Sequence, residues 1–491
     1  MKNDQKKHVI MLVIDSLMNA PLQQAVNHGH APALKFFIEH GKLYPAVVSS
    51  FPTMSVNIDS TLLTGTYGDI HRLPGLVWFS KEENRLINYG SHVRELLKLG
   101  LTRSVKDILI HLNNDHLGKN VKTIHEELAH LGKQSASINT LMYRGNDQYQ
   151  LKLPKLFTLF KSFNINWPTN GPSLFTYGAL SQFSQLKRNN HFWQKYGFND
   201  AFSVQELNYL IHNDLLPEFT IVYLPNLDKD VHKNGPLYIK GVNKVDRQLQ
   251  KILNTYPSWK EALTENIWII MGDSGQAPIH AVRKKALIDL RRLLHSYRIM
   301  KLKDGVKKED EIVLGVNERM AFIYSLNPSQ LPLQKIAKVL QKDKRIDMIA
   351  WKETDFVHVI SSVKAGRLNF KPEGKYKDQY EQSWSITGEA SILDLLIRNN
   401  EVKYNRYPDA LARLYSAVIS HEGSYLVLSA KPGFEFIGEG SPTNVGGASH
   451  GGLHKQDSLV PMIVTGTHSS PKYSRIVDLK AWLLTLINEQ V

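Results

Sequence analysis

The 491-residue chain contains no cysteine. Disulfides, thiolate zinc sites and a cysteine nucleophile are thereby excluded, while the compartment is left open. Long apolar runs are also missing, and no stretch approaches the roughly 20 residues of a membrane-spanning helix. The opening Met-Lys-Asn-Asp-Gln-Lys-Lys-His, followed by Val-Ile-Met-Leu-Val-Ile, has the outline of a signal peptide. Its apolar run is too short, Asp15 ends it, and no small-residue cleavage site follows. A buried first strand is the better reading, and a cytoplasmic protein without a transmembrane segment is expected. Internal repeats, low-complexity tracts and coiled-coil heptads are absent as well.

What remains has the make-up of a globular protein, with 42% hydrophobic and 22% charged residues. The length exceeds one ordinary core, so two or more packed units are expected. A net charge of +14 favours anionic partners such as phosphate esters, nucleic acid or an anionic membrane surface. No RNA-binding aromatic signature or helix-turn-helix pattern is present. Sequence-specific nucleic-acid binding is therefore not expected, and most of the lysines read as solvated surface. The partner expected is a small-molecule phosphate ester or nucleotide.

Continuous apolar runs at 8–14, 43–48, 219–225, 266–271 and 461–466 read as strands of a parallel sheet covered on both faces. Helices are expected at 21–40, 121–132, 241–254 and from Asp478. Residues 145–218 are aromatic-rich and irregular, and read as helices and loops over the site. Between 280 and 400 charge rises and short strands alternate with helices, as in a smaller inserted α/β unit. From 401 the main pattern returns, including a strand at Tyr425–Ser429. The fold class expected is an α/β/α sandwich with a largely parallel central sheet. Residues 1–280 and 401–491 would form the core, with 281–400 as an inserted cap domain.

The stretch 49–65, Ser-Ser-Phe-Pro-Thr-Met-Ser-Val-Asn-Ile-Asp-Ser-Thr-Leu-Leu-Thr-Gly, is poor in charge and dense in hydroxyls. It reads as a strand end, a tight turn and a helix start. A hydroxyl there is pushed out of the sheet, beside helix N–H groups that suit an anion. The residue types allow a serine or threonine nucleophile attacking phosphorus, and equally a plain helix cap. Three apolar strands lead into an aspartate: Asp15, Asp228 after a short loop, and Asp273. Each alone could be a helix cap. Together with Asp228-x-x-x-His232 and the Gly-Gly-Ala-Ser-His450-Gly-Gly segment they suggest convergence on a metal. Carboxylate and imidazole donors suit Zn²⁺ or Mn²⁺. His454, four residues after His450, could replace it or stand behind it. Asp59 and Asp230 read as ordinary helix and loop residues.

In these segments the chain resembles the alkaline phosphatase superfamily, in its nucleotide pyrophosphatase/type I phosphodiesterase branch. The matching pieces are Val13-Ile14-Asp15-Ser16, Phe51-Pro52-Thr53-Met54-Ser55 leading to Leu63-Thr64-Gly65, Asp228-x-x-x-His232-x-x-Gly235-Pro236, Met271-Gly272-Asp273-Ser274-Gly275 and Ser449-His450-Gly451. The resemblance covers about 1–75, 215–280 and 405–491. It implies two divalent metal ions. Asp228, His232 and His450 would hold one, and Asp15, Asp273 and the nucleophile the other. Zinc is expected, with manganese or magnesium as the alternative at the Asp15/Asp273 site. In the family pattern the nucleophile stands nine residues before the threonine of Thr-Gly, which gives Ser55. Thr53, directly after Phe-Pro, is the alternative.

Two departures stand out. Ser274 occupies the place of a family histidine ligand and is a weaker donor. Ile58 occupies the place of the family's phosphate-binding asparagine, so Asn57 is expected to serve instead. The reaction implied is metal-dependent hydrolysis of phosphodiester, pyrophosphate or phosphate-ester bonds through a covalent phosphoryl-serine or phosphoryl-threonine. A phosphonate hydrolase or phosphomutase on the same scaffold is the runner-up, and a non-catalytic metal- or anion-binding relic is a third reading.

Overall fold

The computed structural model describes residues 6–153, 166–186 and 188–489. Residues 154–165 of the aromatic-rich stretch lie outside the described residues. The first strand, His8–Ile14, sends Ile10, Leu12 and Ile14 into one apolar core and Val9, Met11 and Val13 into another. Phe219–Leu224 and Asn266–Gly272 divide their side chains in the same way. Burial on both faces is why these strands read as unbroken apolar runs.

The three are neighbours in a seven-stranded sheet of order Gly41–Val48, Leu459–Thr465, Asn266–Gly272, His8–Ile14, Phe219–Leu224, Ser135–Ile138, Leu174–Thr176. The last five run parallel, and Leu459–Thr465 is antiparallel to both of its neighbours. Register brings the strand ends level, since Ile14 pairs with Gly272 on one side and Leu224 on the other. Asp15, Asp273 and the turn that leads to Asp228 therefore leave the sheet at one edge.

Helices cover both faces. Asn19–Asn27, Pro32–Glu39 and Ile239–Leu253 pack on one, and Ser55–Thr64, Ile124–His130 and Ile476–Asn488 on the other. The α/β/α sandwich is thus observed. The helix expected at 21–40 is two helices, parted at 28–31. Pro32 sits in the first turn of the second, where its missing N–H is harmless. Among the described residues no helix is long and apolar enough to cross a membrane.

A second, nine-stranded sheet begins at Ile312–Asn317 and Met320–Ser325. The strand expected to rejoin the main sheet, Tyr425–Ala430, lies instead inside this second sheet, between Met320–Ser325 and Ile346–Glu353. An apolar run announces a strand and not its partner. Residues 281–400 therefore do not build the second sheet alone, and the chain regains the first only at Leu459–Thr465. Nor is this sheet walled off. One continuous apolar cluster runs from Val9 and Met11 through Leu62 and Leu414 to Phe322 and Met348. The basic stretch 284–292 is divided by the strand Leu287–Asp289.

Candidate active site

Ser55 opens the helix Ser55–Thr64, whose N-terminus carries no side-chain cap. It is half-buried and lines a cleft of about 510 Å³ at the carboxyl edge of the first sheet. Thr53 is fully buried. Its hydroxyl accepts from Gly451 N at 2.7 Å and its carbonyl accepts from His450 Nδ1. Of the two candidate hydroxyls, Ser55 lines the cleft and Thr53 is committed to the His450 loop. Asn57 does not reach the cleft either. Its amide donates to Phe51 O at 3.3 Å and Pro74 O at 3.5 Å, tying the turn before the helix to the later loop at Pro74.

Two carboxylates face Ser55. Asp273 Oδ2 lies 3.3 Å from Ser55 Oγ, while its Oδ1 accepts from Ser16 N at 2.9 Å and Ser274 N at 2.6 Å. Asp15 Oδ2 accepts from Tyr223 OH, and that hydroxyl is 3.5 Å from Ser55 Oγ. Burial, then the like charges of Asp273 and Asp228, push the Asp15 carboxyl well above its ordinary range. Burial raises Asp273 as well. Two buried carboxylates beside one hydroxyl are a hard, anionic donor set that a divalent cation would relieve.

The second donor set comes from the helix Asn226–Asn234 and the loop after Ala448. Asp228 and His232 stand one helical turn apart, with His232 Nε2 at 3.1 Å from Asp228 Oδ1. His450 Nε2 is 3.7 Å from the same oxygen. Each ring is aimed by a backbone carbonyl, Ala448 O for His232 Nδ1 at 2.8 Å and Thr53 O for His450 Nδ1. With both Nδ1 atoms donating, the Nε2 lone pairs and Asp228 converge, and the three ligand atoms lie within 4.8 Å of one another. Burial works against a charged His232, but the pull of Asp228 and Glu318 outweighs it and carries its pKa up to about 10. A cluster with that demand for a positive charge fits a divalent metal.

Four residues to which the sequence assigned no role complete the arrangement. Ser16, at φ 61°, turns its hydroxyl to Asp228 Oδ1 at 2.9 Å. Gln276 Nε2 donates to the same oxygen at 2.7 Å and to Ser16 Oγ at 2.9 Å. Tyr223 and Glu318 line the cleft. Ser16 stood inside the Val13-Ile14-Asp15-Ser16 piece, only proximity to Asp273 in sequence could have marked Gln276, and nothing marked Glu318.

Three expectations change. Ser274 is fully buried and 3.4 Å from Ser16 Oγ, away from the cleft lining. His454 caps the short helix Lys455–Ser458, accepting from Gln456 N at 3.2 Å, and packs on Tyr407. It does not stand behind His450. Asp59 is no ordinary helix residue: it is buried, accepts from Leu141 N at 3.2 Å, and burial followed by the charge of Asp273 raises its pKa to about 8.

The cleft wall is apolar and aromatic, formed by Leu76, Tyr89, Leu109, Leu141, Tyr177 and Phe198, with the exposed Lys195 and Lys229 at its rim.

A parallel sheet between helices, with carboxylates, histidines and a hydroxyl at its carboxyl edge, is the scaffold of the alkaline phosphatase superfamily. Residues 9–452 match the model of the type I phosphodiesterase / nucleotide pyrophosphatase family, and the chain belongs to that family of phosphoric ester hydrolases. The family is generally dependent on divalent metal.

Among solved structures, human ectonucleotide pyrophosphatase/phosphodiesterase 5 is similar at 13% identity and a TM-score of 0.57, over 98% of this chain and 95% of that one. An inactive variant of the murine protein in complex with AMP gives 13% and 0.55 over the same shares. Phosphonoacetate hydrolase from Sinorhizobium meliloti 1021, in complex with phosphonoacetate, gives 14% and 0.57 over 98% and 96%. At such identities the likeness is one of fold. No curated protein sequence matches the chain significantly.

Proposed function

We propose that this chain is a metal-dependent phosphodiesterase that works through a covalent phosphoryl-serine at Ser55. The observation that carries this is the position of Ser55 Oγ, 3.3 Å from Asp273 Oδ2 and 3.5 Å from Tyr223 OH, in a cleft whose lining also includes Asp228, His232 and His450. Asp228, His232 and His450 would hold one divalent ion, and Asp15, Asp273 and Ser55 a second. Bound there, the ions supply positive charge that favours the ionised hydroxyl and the departing oxygen.

The chain's own residues do the rest. Tyr223 and Asp273 fix the Ser55 hydroxyl, whose proton leaves toward Asp273 Oδ2. Ser55 Oγ attacks phosphorus in line, its new bond forming as the bond to the leaving alcohol breaks. The uncapped N-terminus of the helix Ser55–Thr64 offers N–H groups to a phosphoryl oxygen. The leaving oxygen takes a proton from solvent. Water entering from the same side, losing a proton to solvent, then displaces Ser55, which recovers its own from Asp273, and releases the phosphomonoester. The apolar wall takes the ester's organic group, and a nucleoside is of suitable size and character for it.

The likeness to phosphonoacetate hydrolase supports a phosphonate hydrolase as the second reading. The experiment is cleavage of bis-p-nitrophenyl phosphate and of phosphonoacetate by metal-stripped protein. Zn²⁺, Mn²⁺ or Mg²⁺ is added back, with Ser55→Ala and Thr53→Ala in parallel. Metal-restored diester cleavage lost in Ser55→Ala, with a phosphorylated Ser55 peptide after acid quench, is the result expected. Phosphate release from phosphonoacetate alone would favour the second reading, and no turnover of either would overturn both.

A further inference from the structure

Glu318 stands at the tip of the hairpin between Ile312–Asn317 and Met320–Ser325, in the second sheet, yet lines the cleft of the first. Its backbone has φ 55°, a region that costs a non-glycine residue about 1 kcal/mol or more. Such strain is commonly kept where a side chain must be aimed.

The aim is well fixed. Oε2 accepts from Ser449 Oγ at 2.6 Å, His450 N at 3.4 Å and Asn444 Nδ2 at 3.5 Å. Oε1 is directed at His232 Nε2, 3.9 Å away. The hairpin cannot easily swing aside. Asn317 Oδ1 accepts from Leu76 N at 2.8 Å and Val77 N at 2.9 Å, and Arg319 N donates to His450 O at 3.0 Å. Glu318 is also not one of the three residues whose ligand atoms share mutual reach. It is a third carboxylate in the cleft lining, after Asp15 and Asp228, held beside the histidine donors rather than among them.

We propose that Glu318 is a specificity-determining residue that sets the site for phosphodiesters, with one negative charge, against phosphomonoesters and carboxylated phosphonates, with two or more. The inference rests on the function proposed above and assigns its substrate class to a named charge. Above its second ionisation near pH 6 a monoester brings about one extra negative charge. A fixed carboxylate a few ångströms away, in partly solvated surroundings, penalises that charge by roughly tenfold in binding. A diester, with an organic group in place of the second ionised oxygen, escapes most of this penalty.

The test compares wild type with Glu318→Gln, which removes the charge but keeps an acceptor for Ser449, and with Ser449→Ala, which loosens the anchor but keeps the charge. Kinetics on bis-p-nitrophenyl phosphate and p-nitrophenyl phosphate are measured with zinc-loaded protein at about pH 8, where the monoester is a dianion. Calorimetry with dimethyl phosphate and methyl phosphate reads the same selectivity without turnover. Glu318→Gln should raise the monoester-to-diester ratio of kcat/KM roughly tenfold, through KM, and tighten methyl phosphate by a similar factor relative to dimethyl phosphate, less so at high salt. Ser449→Ala should move both esters together. Ratios in Glu318→Gln that stay within about twofold of wild type, in kinetics and in calorimetry, overturn the inference and leave Glu318 as an anchor of the His450 loop. If wild type cleaves neither ester, the proposed function fails and the calorimetric ratio alone decides this inference. Binding of neither anion ends both.

Discussion

Arg319 and Asp457 form an ion pair in which neither side chain is exposed at all, and it locks the tip of the second sheet to the loop that carries His450. The guanidinium also donates to Ala430 O at 3.0 Å and Phe434 O at 3.2 Å, while Asp457 accepts from Gly452 N at 3.3 Å. The second sheet thus reaches the cleft through a few polar contacts around one histidine.

Arg319→Ala would leave Asp457 buried and unpaired. We expect a loss of about 3–5 kcal/mol in stability, read from urea unfolding. Zinc affinity, measured by competition with a chromophoric chelator, should weaken in the same variant because Asp457, which accepts from Gly452 N just past His450, loses the guanidinium that holds it. A stability change below about 1 kcal/mol would show that the pair is hydrated.

Tyr223→Phe removes one hydroxyl that serves both Asp15 and Ser55. The expected result is a fall of roughly tenfold in kcat with little change in KM, since the lost contact orients the nucleophile and not the bound ester. A rise in KM at constant kcat would instead place Tyr223 among the substrate contacts.

Metal should stabilise the fold measurably. The clustered charges of Asp15, Asp228 and Asp273 are relieved when cations bind, so chelation should lower the melting temperature and zinc should restore it. At a free concentration of 100 times Kd the gain is about 2.7 kcal/mol per site. His232→Ala should abolish most of the zinc-dependent shift, and an unchanged shift would argue that the ion binds elsewhere.

His125 is buried, and burial lowers its pKa to about 3, with Nδ1 at 2.9 Å from Ser135 Oγ. The folded protein holds it neutral, whereas the unfolded chain takes up a proton below its ordinary 6.5. Its contribution is therefore present above that value and lost as pH falls toward about 3. Between pH 7 and pH 5 the wild type should lose about 2 kcal/mol more than His125→Gln. Equal losses in urea titrations at the two pH values would mean that the ring protonates without penalty.

The parts of this site visible in the sequence are those tied to the edge of one sheet. Asp15 and Asp273 directly follow unbroken apolar runs, and the four-residue spacing of Asp228 and His232 was enough to put them on one side of a helical turn. Asn57 and His454 failed for a common reason. Each sits near a cleft-lining residue in sequence, but a local hydrogen bond, to Phe51 O for Asn57 and from Gln456 N for His454, fixes its direction away from the cleft.

By itself, the amino-acid sequence determined the layered α/β class, the aspartates at the strand ends and the family, because hydrophobic periodicity and short motifs are local properties of the chain. Only the tertiary structure decided that Tyr425–Ala430 joins the second sheet, that Thr53 is spent on Gly451, and that Tyr223, Gln276 and Glu318 meet the site. Strand partnership and side-chain direction depend on residues far apart in the chain, which no local pattern records.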